Sequence, residues 1–303
     1  MSTARGLRTA PDVTVLELVE RCRARLEAAG VSFGHGTGCA FDEAAWLVLW
    51  GLGCPLDALD EVADKPIDPG AARRCEALVA QRIESRLPAA YLTGEAWLQG
   101  VPFHVDARTI VPRSYIAELI VQGTLEPWLP AEPSRILDLC TGNGSLAVLA
   151  AMAWPAAQVD ATDLSGPALE VASRNVARHA LEAQIALGQG DGLAAASGPY
   201  DLVLCNPPYV TRASMACLPP EYRAEPALAL DGGEDGMDFV RALLATLRAE
   251  PARHLGAAGV LVLEIGHERD HFEAAFPELE PVWLPTSAGD DPVLLLTREA
   301  LAP

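Results

Sequence analysis

Apolar residues recur at helical spacing through the first third of the chain, then fall into short, separated runs, and this change of period divides it. Residues 13–30, VTVLELVERCRARLEAAG, place Val15, Leu16, Val19 and Leu26 on one helical face and end in Gly30, a residue suited to the position after a helix. The glycine-rich FGHGTG reads as a loop, after which Asp42 is placed to cap a strongly apolar helix. A further helix is predicted over 70–86, so residues 1–88 form a helical domain. Gly94 and Gly100-Val101-Pro102 punctuate β-prone runs, which predicts a hairpin linker and junction over 89–113. Residues 114–303 form the third part, which opens with a helix over 114–129.

From residue 134 the pattern alternates. Strands are predicted at 135–140, 158–163, 185–190, 201–206 and 259–266, with helices at 145–153, 166–180 and 236–254. Short apolar strands separated by amphipathic helices imply an α/β fold with a mostly parallel, doubly wound sheet. The tail PVWLPTSAGDDPVLLLTREAL adds two strands with no helix between them, hence an antiparallel edge and seven strands in all.

Composition narrows the partners. The 303 residues carry 41 acidic and 22 basic side chains, a net charge of −19. That balance disfavours a phosphate-backbone partner, whose binding rests on Lys and Arg. It fits a basic protein partner, and equally an acidic surface kept for solubility. The seven cysteines form no C-x-x-C pair and no histidines stand at metal-ligand spacing, so free thiols and no metal are expected. The opening MSTARGLRTAPDV lacks the apolar core of a signal peptide, and no run is long and apolar enough to span a bilayer. A cytoplasmic protein is expected.

Ligands of an open α/β sheet bind beyond the carboxyl ends of its strands. Three features converge there. Thr141-Gly142-Asn143-Gly144 joins the first strand to its helix, and its glycines allow a sharp turn and a close backbone approach. Asp163 closes the second strand, where a carboxylate can accept from both hydroxyls of a ribose. Asp191 follows the third, where a carboxylate can accept from an adenine amino group. The glycine loop alone would serve many nucleotides. The form D-x-x-T-G-x-G from Asp138, together with NPPY at the end of the fourth strand, resembles the S-adenosylmethionine-dependent class I methyltransferases. The resemblance implies a Rossmann-like fold. It also implies S-adenosylmethionine as cofactor, Asp138 facing its methionine part or bracing the loop, and Asp163 on the ribose.

NPPY, residues Asn206, Pro207, Pro208 and Tyr209, resembles the tetrapeptide these enzymes use when the methyl acceptor is a planar nitrogen. An amide nitrogen is a poor nucleophile because its lone pair is delocalised into the carbonyl. A site must hold both N–H groups so that the lone pair points at the methyl. The Asn206 side-chain oxygen and the Pro207 carbonyl are the expected acceptors, the two prolines fix their backbone, and Tyr209 supplies an aromatic wall. Asn206 thereby borders the cofactor as well.

Two acceptors share that chemistry, adenine and the glutamine side-chain amide. The segments YRAEPALAL and GGEDGMD after NPPY, and YLTGEAWLQGVPFHVDARTIVPRS before the sheet, resemble the protein-glutamine N5-methyltransferases. GHGT followed by FDEAAWLVL, and VPRSYIAEL in place of P-R-P-x-T-E, resemble the branch that modifies a glutamine of large-subunit ribosomal protein L-three (PrmB type). The resemblance implies a basic ribosomal protein as substrate, no direct sequence-specific nucleic-acid binding, and substrate selection by the helical domain. The competing readings are methylation of release factors, adenine-N6 methylation, and a non-catalytic assembly factor. Four residues stay open: His35 closes the glycine loop or touches the substrate, Arg113 and Glu118 form a junction ion pair or a cofactor-side contact, and Glu225 caps or contacts the substrate. Trp97 and Leu98 fall where the family's hairpin covers the cofactor, and Cys140 and Cys205 read as small packing residues at strand ends.

Overall fold

A computed structural model describes residues 13–129 and 131–302, so the reading of residues 1–12 as lacking a signal peptide lies outside the described residues. The chain divides into two compact units at Thr93/Gly94.

The first unit is helical: α1 (Val15–Ala28), α2 (Ala40–Leu52), α3 (Leu59–Val62), α4 (Pro69–Ser85) and α5 (Ala89–Thr93). Thr14 and Glu17 form a reciprocal capping box on α1, whose buried face is Val15, Leu18, Val19, Cys22 and Leu26. Gly30 follows its C-cap at φ +57°, a left-handed position that glycine takes without steric cost. Asp42 does not cap α2. The N-cap is Cys39, and Asp42 lies one turn inside, where a carboxylate still favours the positive end of the helix dipole. Helices α2 and α4 approach so closely that a Cβ on Gly51 would stand 2.8 Å from Cys75 Sγ. Between them Arg82 Nε donates to Glu43 Oε1 at 2.8 Å, and both side chains are buried. The pair also holds the glycine loop: Thr37 Oγ1 donates to Glu43 Oε2 at 3.1 Å and Arg82 Nη2 to the Ser32 carbonyl at 2.9 Å. His35 is buried within that loop.

The second unit opens with a hairpin, β1 (Glu95–Leu98) and β2 (Val101–His104), paired from Glu95↔His104 to Leu98↔Val101. Its two-residue turn puts both Gln99 (φ +50°) and Gly100 (φ +77°) in the left-handed region, as a hairpin turn matched to strand twist requires. Helix α6 covers only Tyr115–Val121, not 114–129. Gly123 turns left-handed at φ +69°, and the rest is a 3-10 turn at Glu126–Trp128 containing Pro127.

The elements that follow are β3 (Arg135–Leu139), α7 (Ser145–Ala153), β4 (Gln158–Asp163), α8 (Gly166–Arg178), β5 (Ile185–Gln189), β6 (Tyr200–Cys205), α9 (Arg212–Cys217), α10 (Asp238–Ala249), α11 (Pro251–His254), β7 (Leu255–Glu264), α12 (Arg269–Ala275), β8 (Val282–Thr286), β9 (Gly289–Thr297) and α13 (Arg298–Leu301). The helix expected over 236–254 is broken by Pro251, which lacks the N–H needed to continue the ladder.

The seven strands lie in the order β5-β4-β3-β6-β7-β9-β8. The first five are parallel, and β9 and β8 add antiparallel at the edge. The two faces follow the period of two along each strand. Ile136, Leu202, Leu204, Val260 and Val262 pack on one side, with Phe103, Ile116 and α7. Leu137, Leu139, Val203, Leu261 and Leu263 pack on the other, with α10. Both faces being covered explains why the strands read as continuous apolar runs. The order reverses between β3 and β6, so their carboxyl ends flank the crevice that such sheets leave for a ligand. Among the described residues no helix is long and apolar enough to cross a membrane.

Candidate active site

An open cleft of about 1040 Å³, mouth included, lies over the carboxyl ends of β3, β4, β5 and β6. Its floor is the turn after β3. Cys140 (φ +62°), Gly142 (φ +57°) and Gly144 (φ +81°) all take left-handed backbone, so the chain doubles back and presents Gly144 as the N-cap of α7. Space about each glycine has a different cause. A Cβ on Gly142 would meet nothing within 4 Å, whereas one on Gly144 would come within 3.1 Å of Ala172 Cβ on α8. The first serves the turn and the open cleft; the second serves helix packing.

Asp138 braces this turn from below. Its fully buried Oδ2 accepts from Thr141 Oγ1 at 2.5 Å and from the Ala147 N–H at 2.9 Å. Burial pushes its carboxyl up to about 7, against the pull of those two donors. Of the two roles the family likeness offered, loop bracing is the one its contacts describe. Asp163, at the tip of β4, accepts from the Gly142 N–H through Oδ2 and the Ser165 N–H through Oδ1, both at 2.8 Å. Each carboxylate oxygen retains a further lone pair, and the residue lines the cleft. Burial raises its pKa as well, opposed by those backbone donors. Asp191 lines the far end, exposed, at the start of a 3-10 turn after β5. Asn143 lines the cleft with its side chain buried, and its Nδ2 has no hydrogen-bond partner among the described residues. On the rim Leu164 and Leu228 expose 49% and 58% of their surface, large apolar side chains left without a covering partner.

At the end of β6, Asn206 and Pro208 line the cleft. The Asn206 Nδ2 points at the Arg113 carbonyl at 3.4 Å, which leaves Oδ1 as the acceptor on the open side. Pro207 is buried beneath them. Tyr209 is gripped from three sides by glycines. A Cβ on Gly232 would stand 2.7 Å from its Cα, one on Gly236 2.3 Å from its carbonyl oxygen, and one on Gly266 2.6 Å from its ring. Burial, and after it the nearby Glu264 carboxyl, holds its hydroxyl pKa well above the ordinary phenol value. Cys140 packs against the apolar cluster that holds Cys205 beside the two motifs, and burial pushes the Cys205 thiol up, away from nucleophilic form.

The expected ion pair between Arg113 and Glu118 does not form. Arg113 pairs with Glu225, with Nη1–Oε1 and Nη2–Oε2 both at 2.6 Å, while Glu118 Oε1 accepts from the Ser287 N–H at 2.6 Å. Glu225 therefore serves as the side-chain partner of Arg113, while its backbone N–H caps the 3-10 turn Pro220–Ala224 by donating to the Tyr222 carbonyl at 3.2 Å.

Two contributors were not singled out from the sequence. Glu264, fully buried at the carboxyl end of β7, accepts through Oε2 from Ser114 Oγ at 2.5 Å, Tyr115 N–H at 2.9 Å and Ile116 N–H at 3.3 Å. Its signal was available: a lone carboxylate in the apolar run GVLVLEIG. Asn175 on α8 bridges the hairpin and the floor, donating to the Asn143 carbonyl at 2.8 Å and the His104 carbonyl at 3.0 Å and accepting the His104 N–H at 2.6 Å. Nothing in the sequence around Asn175 announces that role.

The likeness to known proteins follows the geometry. Residues 122–217 match the family described as methyltransferase small domain. The hMettl16 catalytic domain, solved in complex with a MAT2A 3′UTR hairpin, aligns over 76% of this chain and 81% of its own at a TM-score of 0.51 and 14% identity, which shows a shared fold. The ribosomal protein uL3 glutamine methyltransferase of Bordetella pertussis is 57% identical over 95% of this chain and 96% of its own length. That of Burkholderia pseudomallei is 48% identical over 96% of each. At such identity, over nearly the whole length of both partners, the chain belongs to the family of ribosomal protein uL3 glutamine methyltransferases.

Proposed function

We propose that this enzyme transfers a methyl group from S-adenosylmethionine to the side-chain amide nitrogen of a glutamine in ribosomal protein uL3. The observation that carries the choice of substrate is the near full-length likeness to relatives so named, the helical unit included. The residues present suit the cofactor: a glycine turn open to the cleft, a carboxylate with spare lone pairs at Asp163, the unpartnered Nδ2 of Asn143, and the apolar rim of Leu164 and Leu228. In this reading Asp163 receives the ribose hydroxyls, Asp191 the adenine amino group, and Gly142 to Gly144 the methionine end, with Asp138 and Thr141 holding the turn in shape. The cofactor supplies an already activated electrophile, a methyl on a sulfonium, so the chain's task is orientation. Asn206 Oδ1 accepts one N–H of the glutamine amide and the Pro207 carbonyl the other, turning the nitrogen lone pair toward the methyl. Pro208 borders the acceptor, and Tyr209 holds the rigid tip from behind. The displaced proton leaves after transfer. The helical unit selects the substrate, and the net charge of −19 over the whole chain suits a basic ribosomal protein in the cytoplasm.

The test is a side-by-side assay with S-adenosylmethionine, offering purified uL3 and a class I release factor and reading peptide masses for one added methyl. A methyl on a glutamine of uL3 alone supports the reading; a methyl on the release factor alone overturns the substrate. Asn206→Ala is expected to lower transfer more than about tenfold while cofactor affinity stays within a few-fold. Equal loss of both would overturn the role given to Asn206.

A further inference from the structure

Glu225 sits in the stretch between NPPY and GGEDGMD, directly before Pro226, Leu228 and Ala229, which line the cleft. Its side chain is fully buried, which a carboxylate tolerates only when paired and hydrogen-bonded. Both conditions are met from the opposite wall. Oε1 accepts the Val111 N–H at 2.8 Å and Arg113 Nη1 at 2.6 Å, and Oε2 accepts Nη2 at 2.6 Å. Such a two-point pairing fixes the guanidinium plane as well as its position. Tyr222, from the same stretch as Glu225, lies with its ring centroid 5.4 Å from the guanidinium carbon. Nη1 also donates to the Val111 carbonyl at 3.1 Å, so side chain and backbone of the junction are locked together. The carbonyl of this same Arg113 is the one that Asn206 Nδ2 faces at 3.4 Å. Were Asn206 to flip, its Oδ1 would confront that carbonyl oxygen, two acceptors with no proton between them.

We infer that Glu225 and Arg113 are positioning residues: their ion pair latches the segment 211–230 across the cleft and holds the Arg113 carbonyl where it keeps Asn206 Oδ1 turned toward the methyl acceptor. The inference rests on the role proposed for Asn206, and deepens it by naming what orients that side chain. The latch spans 112 positions of sequence, and each partner stands beside residues lining a different wall of the same cleft.

The test uses the full chain with Glu225→Gln, Arg113→Lys and the double variant. At saturating cofactor and uL3, each single change is expected to lower kcat about tenfold or more, with KM for the cofactor moved less than about threefold. The double variant should fall no further than the worse single one, because either change alone opens the latch. Trypsin should cut at Arg212 and Arg223 faster in each variant than in the parent, while circular dichroism and the main unfolding transition stay close to it. Unchanged kcat, or losses that multiply in the double variant, would overturn the inference. Where Glu225→Gln does not fold, Arg113→Lys decides, since Arg113 is part-exposed and keeps its charge. The proteolysis arm reads the latch without reference to Asn206: faster cutting with an inert Asn206→Ala result would spare the latch and sink the proposed catalytic role, and unchanged cutting would sink the latch alone.

Discussion

Glu264→Gln isolates one buried carboxylate at the site. Glu264 lies in full burial at the end of β7, where Ser114 Oγ and the N–H groups of Tyr115 and Ile116 converge on a single oxygen. Burial pushes its pKa from the ordinary 4.5 up to about 7, with those donors pulling the other way. A raised carboxyl pKa means that the folded state holds the proton more tightly than the unfolded chain. The stability this contributes is therefore fully present below about pH 4.5 and is lost as pH rises through about 7. The gap converts to roughly 3 kcal/mol, at about 1.4 kcal/mol per tenfold change in proton affinity. Glutamine keeps the shape and an acceptor oxygen and cannot titrate. Urea unfolding of parent and variant, followed by circular dichroism from about pH 4.5 to about pH 8, measures the effect. Every other carboxylate, Asp138 included, is common to both proteins and cancels in the difference. The variant is expected to gain roughly 3 kcal/mol on its parent across that range. Two stability curves that run parallel in pH would refute the argument, because Glu264 would then titrate alike in folded and unfolded chains.

Asp163→Ala should weaken cofactor binding by more than about tenfold in calorimetric titration, since it removes both the spare lone pairs and the carboxylate that holds the Gly142 and Ser165 N–H groups. In the helical unit, Arg82→Met strips the partner from a buried carboxylate at Glu43 and should cost about 3–5 kcal/mol in urea unfolding. Replacing both partners, Arg82→Met with Glu43→Leu, should recover much of that loss, which a purely packing role for Arg82 would not predict.

The parallel sheet was legible because the packing on both its faces leaves Ile136–Leu137, Leu202–Val203 and Leu261–Val262 apolar at successive positions, a signature independent of distant contacts. The cleft-lining residues were legible for a related reason. A turn after a strand demands glycine at Gly142 locally, and Asp163 is a carboxylate at the tip of a strand. What escaped was pairing across long separations. Arg113 has an acidic neighbour five residues on, at Glu118, and nothing local says that its partner is Glu225 instead. Element ends drifted where a single residue overrode a helical pattern, at Gly123 and Pro251. The cap of α2 was misplaced because Asp42, though a good capping residue, lies within the helix's first turn.

The glycines around Tyr209 carry one more consequence. Gly232 and Gly236 press on its backbone and Gly266 on its ring, and each would collide with it if it bore even a methyl group. NPPY is thus only the visible third of a unit whose other parts lie in GGEDGMD and at the end of the EIG strand tip. A tetrapeptide transplanted into another α/β scaffold would bring the right acceptors and the wrong shape, because the rigidity of the tip is lent by residues up to 57 positions away (266 − 209). Anyone grafting this chemistry has to move the glycines with it.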